Sequence, residues 1–193
     1  TRSGGVDLLR EKRPTLHAWS TSVSWSKMDV HFLAELRDNI YGSKVNAVIP
    51  WACTQTEGHW KKGDPNPGTA FRLDGRGNYR IEPGYWFYKQ LCRAGQPGMG
   101  VCRATCNDTQ LPHLAFSDNG TGYGDAFVVL NTSKEDKTVL IELCGTRAVH
   151  FDAFRSSATE AYLPLGILSV EHGILRCVAP AESATTFFER KEA

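Results

Sequence analysis

The chain has 193 residues, a formal net charge of +1, 41% hydrophobic residues and 22% charged residues. That composition supports one or two globular domains with buried cores, and so small a net charge gives no field to steer the chain toward nucleic acid or an anionic membrane. The longest apolar runs, such as residues 126–130, are far too short to span a bilayer, and residues 1–5 read as a loop rather than a signal peptide.

In chain order, the first half alternates helix and strand. Residues 4–13 carry a short helical pattern around Val6, Leu8 and Leu9, ended by Pro14, which cannot continue the hydrogen-bond ladder. Residues 15–21 read as a strand, with His17 on it as a core or supporting histidine. Ser26 or Asp29 can cap a second helix that runs to Tyr41: Val30, Leu33, Leu36 and Ile40 recur at helical spacing, and Gly42 suits the C-terminal cap. Residues 45–51 form a buried strand, residues 53–83 a long polar loop and residues 85–94 a third helix. Strand–helix alternation implies parallel strands covered by helices. Two strands alone leave open edges, and a complete eight-stranded barrel takes about 250 residues. The pattern therefore predicts the end of a barrel whose earlier strands lie in an N-terminal segment, either absent from this chain or present as a separate polypeptide.

The second half changes grammar. Short strands are expected over 113–116, 125–131, 138–144 and 184–188, with the polar residues 131–137 joining two of them as a hairpin loop. Several short strands at such spacing suggest an antiparallel sandwich. The fold class is thus α/β plus all-β: the C-terminal portion of a (β/α)8 TIM barrel over residues 1–96, then an antiparallel β-sandwich over residues 97–193.

Six cysteines, Cys53, Cys92, Cys102, Cys106, Cys144 and Cys177, leave disulfides and free thiols both open, with Cys102 and Cys106 near enough in sequence for a local bridge. One Cys-x3-Cys pair is too little for a zinc site, so no metal is expected. Asn-x-Ser/Thr triplets beginning at Asn107, Asn119 and Asn131 point toward a secreted or extracytoplasmic protein. Gly120-Thr121-Gly122-Tyr123-Gly124 precedes a strand and opens no helix, so it fails the dinucleotide fingerprint and no cofactor is expected.

Three stretches follow one another in the first half: Trp19-Ser20-Thr21-Ser22-Val23-Ser24, then Ala47-Val48-Ile49-Pro50-Trp51, then residues 85–91 with Arg93 and Gln96-Pro97-Gly98. Behind them come Ala115-Phe116, Val128-Val129-Leu130-Asn131 and Ser183-Ala184-Thr185-Thr186-Phe187. In order and spacing they resemble clan A glycoside hydrolases, most nearly the family 30 group of glucosylceramidase, xylanase and endo-galactanase relatives. The resemblance covers nearly the whole chain. It makes the first stretch the seventh barrel strand, where the family reads Trp-x-Thr-Glu-x-Ser. The second stretch becomes the eighth strand, ending in a tryptophan beneath the sugar, and the third becomes the last helix and the exit into the sandwich.

The resemblance implies a retaining β-glycosidase with a carbohydrate substrate. Such enzymes set two carboxylates about 5–5.5 Å apart, one a nucleophile and the other the acid/base. Here the nucleophile position holds Ser22, and the acid/base belongs to a fourth strand outside this chain. Ser22 admits three readings: an engineered replacement, a natural one in a sugar-binding protein, or a misplaced register with Glu57 as the working carboxylate, just past the eighth strand. Trp19, Trp51, Trp60 and His59 are candidates for binding the sugar, against the ordinary alternatives of core packing for tryptophan and a solvated loop for histidine. Trp25 and Trp86 read as packing residues. Lys61, Lys62, Arg72, Arg76 and Arg80 make the long loop basic, which fits a solvated loop or an acidic sugar. The rivals to an enzyme are a non-catalytic carbohydrate-binding protein on a glycosidase fold and a structural sandwich with a docking segment.

Overall fold

The computed structural model describes residues 4–56 and 68–191. It divides into two compact units, residues 1–85 and 86–193. The first holds α1 (Gly4–Lys12), β1 (Trp19–Ser24), a 3-10 turn (Trp25–Lys27), α2 (Val30–Tyr41), β2 (Ala47–Trp51), β3 (Thr54–Thr56), β4 (Phe71–Leu73) and β5 (Tyr79–Ile81). A third helix, α3 (Pro83–Ala94), starts in this unit and continues into the second.

β1 and β2 pair in parallel, with α2 as the connection that parallel strands require. Asp29 caps α2 by accepting the Phe32 N–H at 2.9 Å, and Val30, Leu33 and Leu36 form its buried stripe. At the N-terminal ends of the strands, Asn46 Oδ1 accepts the Ala18 N–H at 3.0 Å, while the Arg10 guanidinium of α1 donates to that same oxygen and to the carbonyls of Leu16 and Lys44. One side chain thus ties the helix to both strands. The first strand begins later than expected, at Trp19, and His17 lies before it, exposed rather than in a core. The segment expected as one long loop contains a small sheet instead, with β3 parallel to β4 and β4 antiparallel to β5. Three-residue strands are too short to show an alternating pattern, and the tight turn at Asp74, whose carboxylate accepts the N–H groups of Arg76 and Asn78, reads locally as loop.

The second unit is one eight-stranded antiparallel sheet that folds over on itself. Its strands are β6 (Gly100–Cys102), β7 (His113–Ser117), β8 (Ala126–Asn131), β9 (Lys137–Glu142), β10 (His150–Ser156), β11 (Leu163–Glu171), β12 (Ile174–Ala179) and β13 (Ser183–Glu189), in the order β6-β7-β8-β13-β10-β11-β12-β9. β11 is the fold line: residues 163–169 pair with β10, while Val170 and Glu171 pair with β12. Leu175 and Ala179 of β12 therefore share one core with Phe127, Val129, Phe151, Ala153 and Phe187 of β8, β10 and β13. The Phe127 and Phe187 rings stack at 4.5 Å between centroids, and Phe151 meets Phe127 edge-on at 5.2 Å.

Two sequence expectations change here. Residues 131–137 do not close a hairpin, because β8 pairs with β7 and β13 whereas β9 pairs only with β12. The segment crosses from one layer to the other. Asn131, fully buried, holds the crossing: its Nδ2 donates to the carbonyls of Glu135 and Ala179, both at 2.8 Å. Strands β6, β10, β11 and β12 were not foreseen. In β11 the strand signal is broken by Pro164 and Gly166, which flank the bulged residue Leu165 opposite Ala153 and Phe154, with Gly166 at φ 87°.

Within this unit α3 covers the sheet through Phe87, Leu91 and Ala94. Gln90, fully buried, satisfies its carboxamide completely: its oxygen accepts from Ser156 N–H at 3.0 Å and Oγ at 2.8 Å, and its nitrogen donates to Phe154 O at 3.2 Å and Thr186 Oγ1 at 2.6 Å. The six cysteines are free thiols, four of them exposed, and burial pushes Cys177 up to about 11. Among the described residues no helix is long and apolar enough to cross a membrane.

Phe187 is fully buried in this core and stacked on Phe127. Phe187→Ala is expected to destabilise the second unit by about 3–5 kcal/mol, read by chemical denaturation. A loss below about 1 kcal/mol would mean that the stacked core does not hold the layers together.

Candidate functional site

Parallel pairing puts like ends of β1 and β2 side by side. Trp19 faces Ala47 at the N-terminal end, and Ser24 faces Trp51 at the C-terminal end. Between them Thr21 pairs with Ile49 and Val23 with Pro50, so the strand register shifts across Ser22. It occupies a bulge, it is exposed, and its φ of 59° lies in the left-handed region that L-residues other than glycine rarely adopt. Bulges of this kind re-aim a side chain and are frequent beside active sites.

Ser22 and Trp51 are therefore brought to the same end of the strand pair, and Trp19 is not. Trp19 sits at the opposite end, 64% exposed. Glu57, His59, Trp60, Lys61 and Lys62 lie outside the described residues.

Beyond Ser22, Ser24 Oγ lies 2.8 Å from Ser26 Oγ and accepts the Ser26 N–H at 3.3 Å, capping the 3-10 turn. Trp25 and Met28 are buried beneath this turn, as expected for Trp25. Beyond Trp51 the chain continues through a cis peptide to Ala52 and then to Cys53. The Cys53 carbonyl accepts from Thr69 Oγ1 at 3.0 Å, Ala70 N–H at 3.1 Å and Phe71 N–H at 2.9 Å. Gly68 packs so tightly on the 3-10 turn that a Cβ there would stand 2.1 Å from the Ser26 nitrogen. Gln55 on β3 is buried, and its Nε2 has no hydrogen-bond partner among the described residues. Ser24 was not singled out from sequence, and Ser26 only as a helix cap, a role that Asp29 fills instead; the repeated Ser at alternate positions from 20 to 26 was the available signal.

The arrangement offers hydroxyl groups and an exposed indole face, a combination suited to hydrogen-bonding and stacking on a polyol ring. It offers little charge. Asp29 is the sole carboxylate in residues 19–29 and 47–56, and it is engaged as the α2 cap. No group of three or more His, Cys, Asp or Glu residues that could hold a metal ion occurs among the described residues.

No protein-family model matches the sequence, and no curated protein matches it either. Solved structures do. A family 30 endoxylanase from Clostridium papyrosolvens C71 superposes with a TM-score of 0.76 at 17% identity, over 96% of this chain and 45% of that one. The chain shares its fold with family 30 glycoside hydrolases. The family 30 subfamily 8 xylanase of Clostridium acetobutylicum gives a TM-score of 0.72 at 16% identity, over 91% of this chain and 43% of that one. The catalytic domain of the family 30 xylanase C of Talaromyces cellulolyticus gives 0.70 at 15% identity, over 92% and 41%. The chain thus spans less than half the length of the family 30 structures it resembles.

Strands β4 and β5 are braced by Glu82, which accepts from Arg72 Nε at 3.0 Å and from Arg80 Nε and Nη2 at 3.0 and 2.9 Å. Burial pushes the carboxyl up, but hydrogen bonds and charge from the two guanidiniums outweigh it and hold Glu82 below the ordinary carboxylate range. A carboxylate lowered on folding stabilises the protein above its unfolded pKa and loses that contribution as pH falls through the folded value. The stability advantage of the wild type over Glu82→Gln is therefore expected to be present at neutral pH and to vanish in acid, read by thermal melts across pH; a difference independent of pH would contradict the ion-pair account. Gly68→Ala is expected to cost about 1–3 kcal/mol, because the new methyl meets backbone that cannot rotate away. An unchanged melting temperature would show that the segment does not seat on Ser26.

Proposed function

We propose that the chain is the C-terminal part of a retaining β-glycosidase, with residues 1–96 closing a (β/α)8 barrel and residues 97–193 forming its β-sandwich. The observation that carries this reading is a Ser22 bulge and an exposed Trp51 toward the same, C-terminal end of a parallel strand pair, on the family 30 fold. Barrel chemistry occurs at that end of the strands. The substrate is a β-linked glycan or glycoconjugate, xylan-like chains being the first to try given the xylanases among the structural neighbours.

The partner of this chain is the N-terminal segment of the same barrel, in the same polypeptide or a separate one. Support comes from the strand pair itself. β1 and β2 form a sheet of two strands, and Trp19, Ile49 and Trp51 are 64%, 42% and 49% exposed. Large apolar side chains on a sheet with open edges call for a covering partner. On this reading Trp51 lies beneath the sugar, whereas Trp19, at the other end, fills the barrel interior.

Double displacement needs a carboxylate to attack the anomeric carbon and a second to protonate the leaving oxygen. The acid/base comes from the N-terminal segment. Ser22, at the nucleophile position, has no carboxylate to form a glycosyl ester, so Glu57 is the carboxylate left to this chain. The same serine favours a second reading, a protein that holds glycan without cleaving it. Under either reading the protein works outside the cytoplasm, which the exposed Asn-x-Ser/Thr triplets at Asn107 and Asn119 support.

The deciding experiment follows release of nitrophenol from nitrophenyl β-glycosides, whose leaving group needs no acid, alongside calorimetric binding of xylo-oligosaccharides. Turnover that survives Ser22→Ala and is lost in Glu57→Gln is expected for the glycosidase. Binding without turnover, weakened roughly tenfold or about 1.4 kcal/mol by Trp51→Ala, assigns the binding reading. Neither turnover nor binding overturns both.

A further inference from the structure

The three Asn-x-Ser/Thr triplets share a sequence pattern but occupy three different environments, and only one of them presents both of the groups that N-glycosylation uses. That reaction needs a free asparagine Nδ2 as nucleophile and a free hydroxyl two residues on. Asn131 offers neither. It is fully buried, gives its Nδ2 hydrogens to Glu135 O and Ala179 O, and takes the Ser133 N–H and Oγ on its Oδ1 at 2.9 and 2.7 Å. Asn119 is exposed, but its Nδ2 donates to Gly98 O at 3.3 Å, and the Thr121 hydroxyl donates to Asp118 Oδ1 at 2.9 Å.

Asn107 differs from both. It lies between β6 and β7, and it and Thr109 are exposed, with neither side chain hydrogen-bonded to another described residue. The residue between them is anchored instead. Asp108 pairs with Lys137 and accepts the Gln110 N–H at 2.9 Å, so the loop is held at its middle while both reacting groups stay free.

We infer that Asn107 is an N-glycosylation site of this protein and that Asn131 is excluded from glycosylation by the fold. The co-substrate class is a lipid-pyrophosphate-linked oligosaccharide. Asn107 Nδ2 forms a bond to the anomeric carbon, the bond from that carbon to the pyrophosphate oxygen breaks, the lipid pyrophosphate leaves with the electron pair, and one amide proton passes to a base. A glycan on Asn131 would remove a donor from the crossing between the two layers and force a bulky polar group into the core. Chains so modified fail to fold and are not recovered as secreted protein. The inference concerns a surface remote in sequence from Ser22 and Trp51 and stands or falls independently of the glycosidase reading.

The test is secretion of the protein from a yeast host, removal of glycans with a peptide amidase in heavy-oxygen water, and peptide mass spectrometry. The amidase converts each glycosylated asparagine to a heavy-oxygen aspartate. The expected result is label at Asn107, none at Asn131, and loss of one glycan in Asn107→Gln with an unchanged far-ultraviolet spectrum. Unlabelled Asn107 in secreted protein, or label at Asn131, overturns the inference. Where yield is low, translation into microsomes gives the same decision, as a mass shift of one glycan between wild type and Asn107→Gln is expected and its absence overturns the assignment.

Discussion

Parallel strands can be joined only by a crossover, and that requirement organises the first unit. β1 and β2 run the same way because α2 carries the chain back between them, and Asp29 starts that helix within a few residues of the end of β1. Their C-terminal ends therefore coincide, and whatever the two strands carry last becomes neighbouring chemistry. One extra residue then changes the outcome. Had Thr21 to Ser24 paired without interruption, Ser22 would have taken a place in the ladder; the bulge instead puts it in left-handed backbone between the positions that face Ile49 and Pro50. The Arg10 contacts at the opposite end and the seat of Gly68 on Ser26 flank this pair without taking part in it, and Glu82 braces the neighbouring β4 and β5.

The second unit solves a different problem, the folding of a long antiparallel sheet back on itself. Hydrophobic burial supplies the force through Phe127, Phe151 and Phe187, but aromatic stacking alone is tolerant of slippage. Register is set by buried polar groups that have one satisfactory arrangement. Asn131 binds the layer crossing to β12, and Gln90 binds α3 to the neighbouring strands β10 and β13. A buried amide left without its partners costs about 1–3 kcal/mol, so alternatives that shift either network are disfavoured even where they would bury the same rings.

The candidate site has binding chemistry in abundance and little charge. Hydroxyls of Ser22, Ser24 and Ser26 and the face of Trp51 suit a neutral polyol, and the carboxylates that glycosidic chemistry demands are not on the described strand ends. This asymmetry is what the proposed reading, a portion of a barrel, calls for. Barrel sites are assembled from several strand ends, so on the proposed reading a chain carrying two strands would hold a share of the binding surface and take the rest from the remaining strands.

Much of this was legible in the residues. The apolar spacing of Val30, Leu33 and Leu36 with Asp29 before it marks a capped helix, and continuous apolar stretches such as residues 47–51 and 126–130 mark strands, because both signals are local. That β2 is half-exposed, where a buried strand was expected, depends on what covers it. The ordered motifs around Ser22, Trp51 and residues 85–98 pointed to the family 30 fold that the solved structures share. Tertiary structure alone decided the rest. β3, β4 and β5 are too short to have a period of their own, and β11 hides behind Pro164 and Gly166 because its bulge is defined by the strand beside it. The crossing at 131–137 resembles a hairpin until the partners of β8 and β9 are known, since pairing is a property of two segments and not of the loop between them. For the same reason sequence could group Trp19 with Trp51 as sugar platforms, while the parallel register sets them at opposite ends of the sheet.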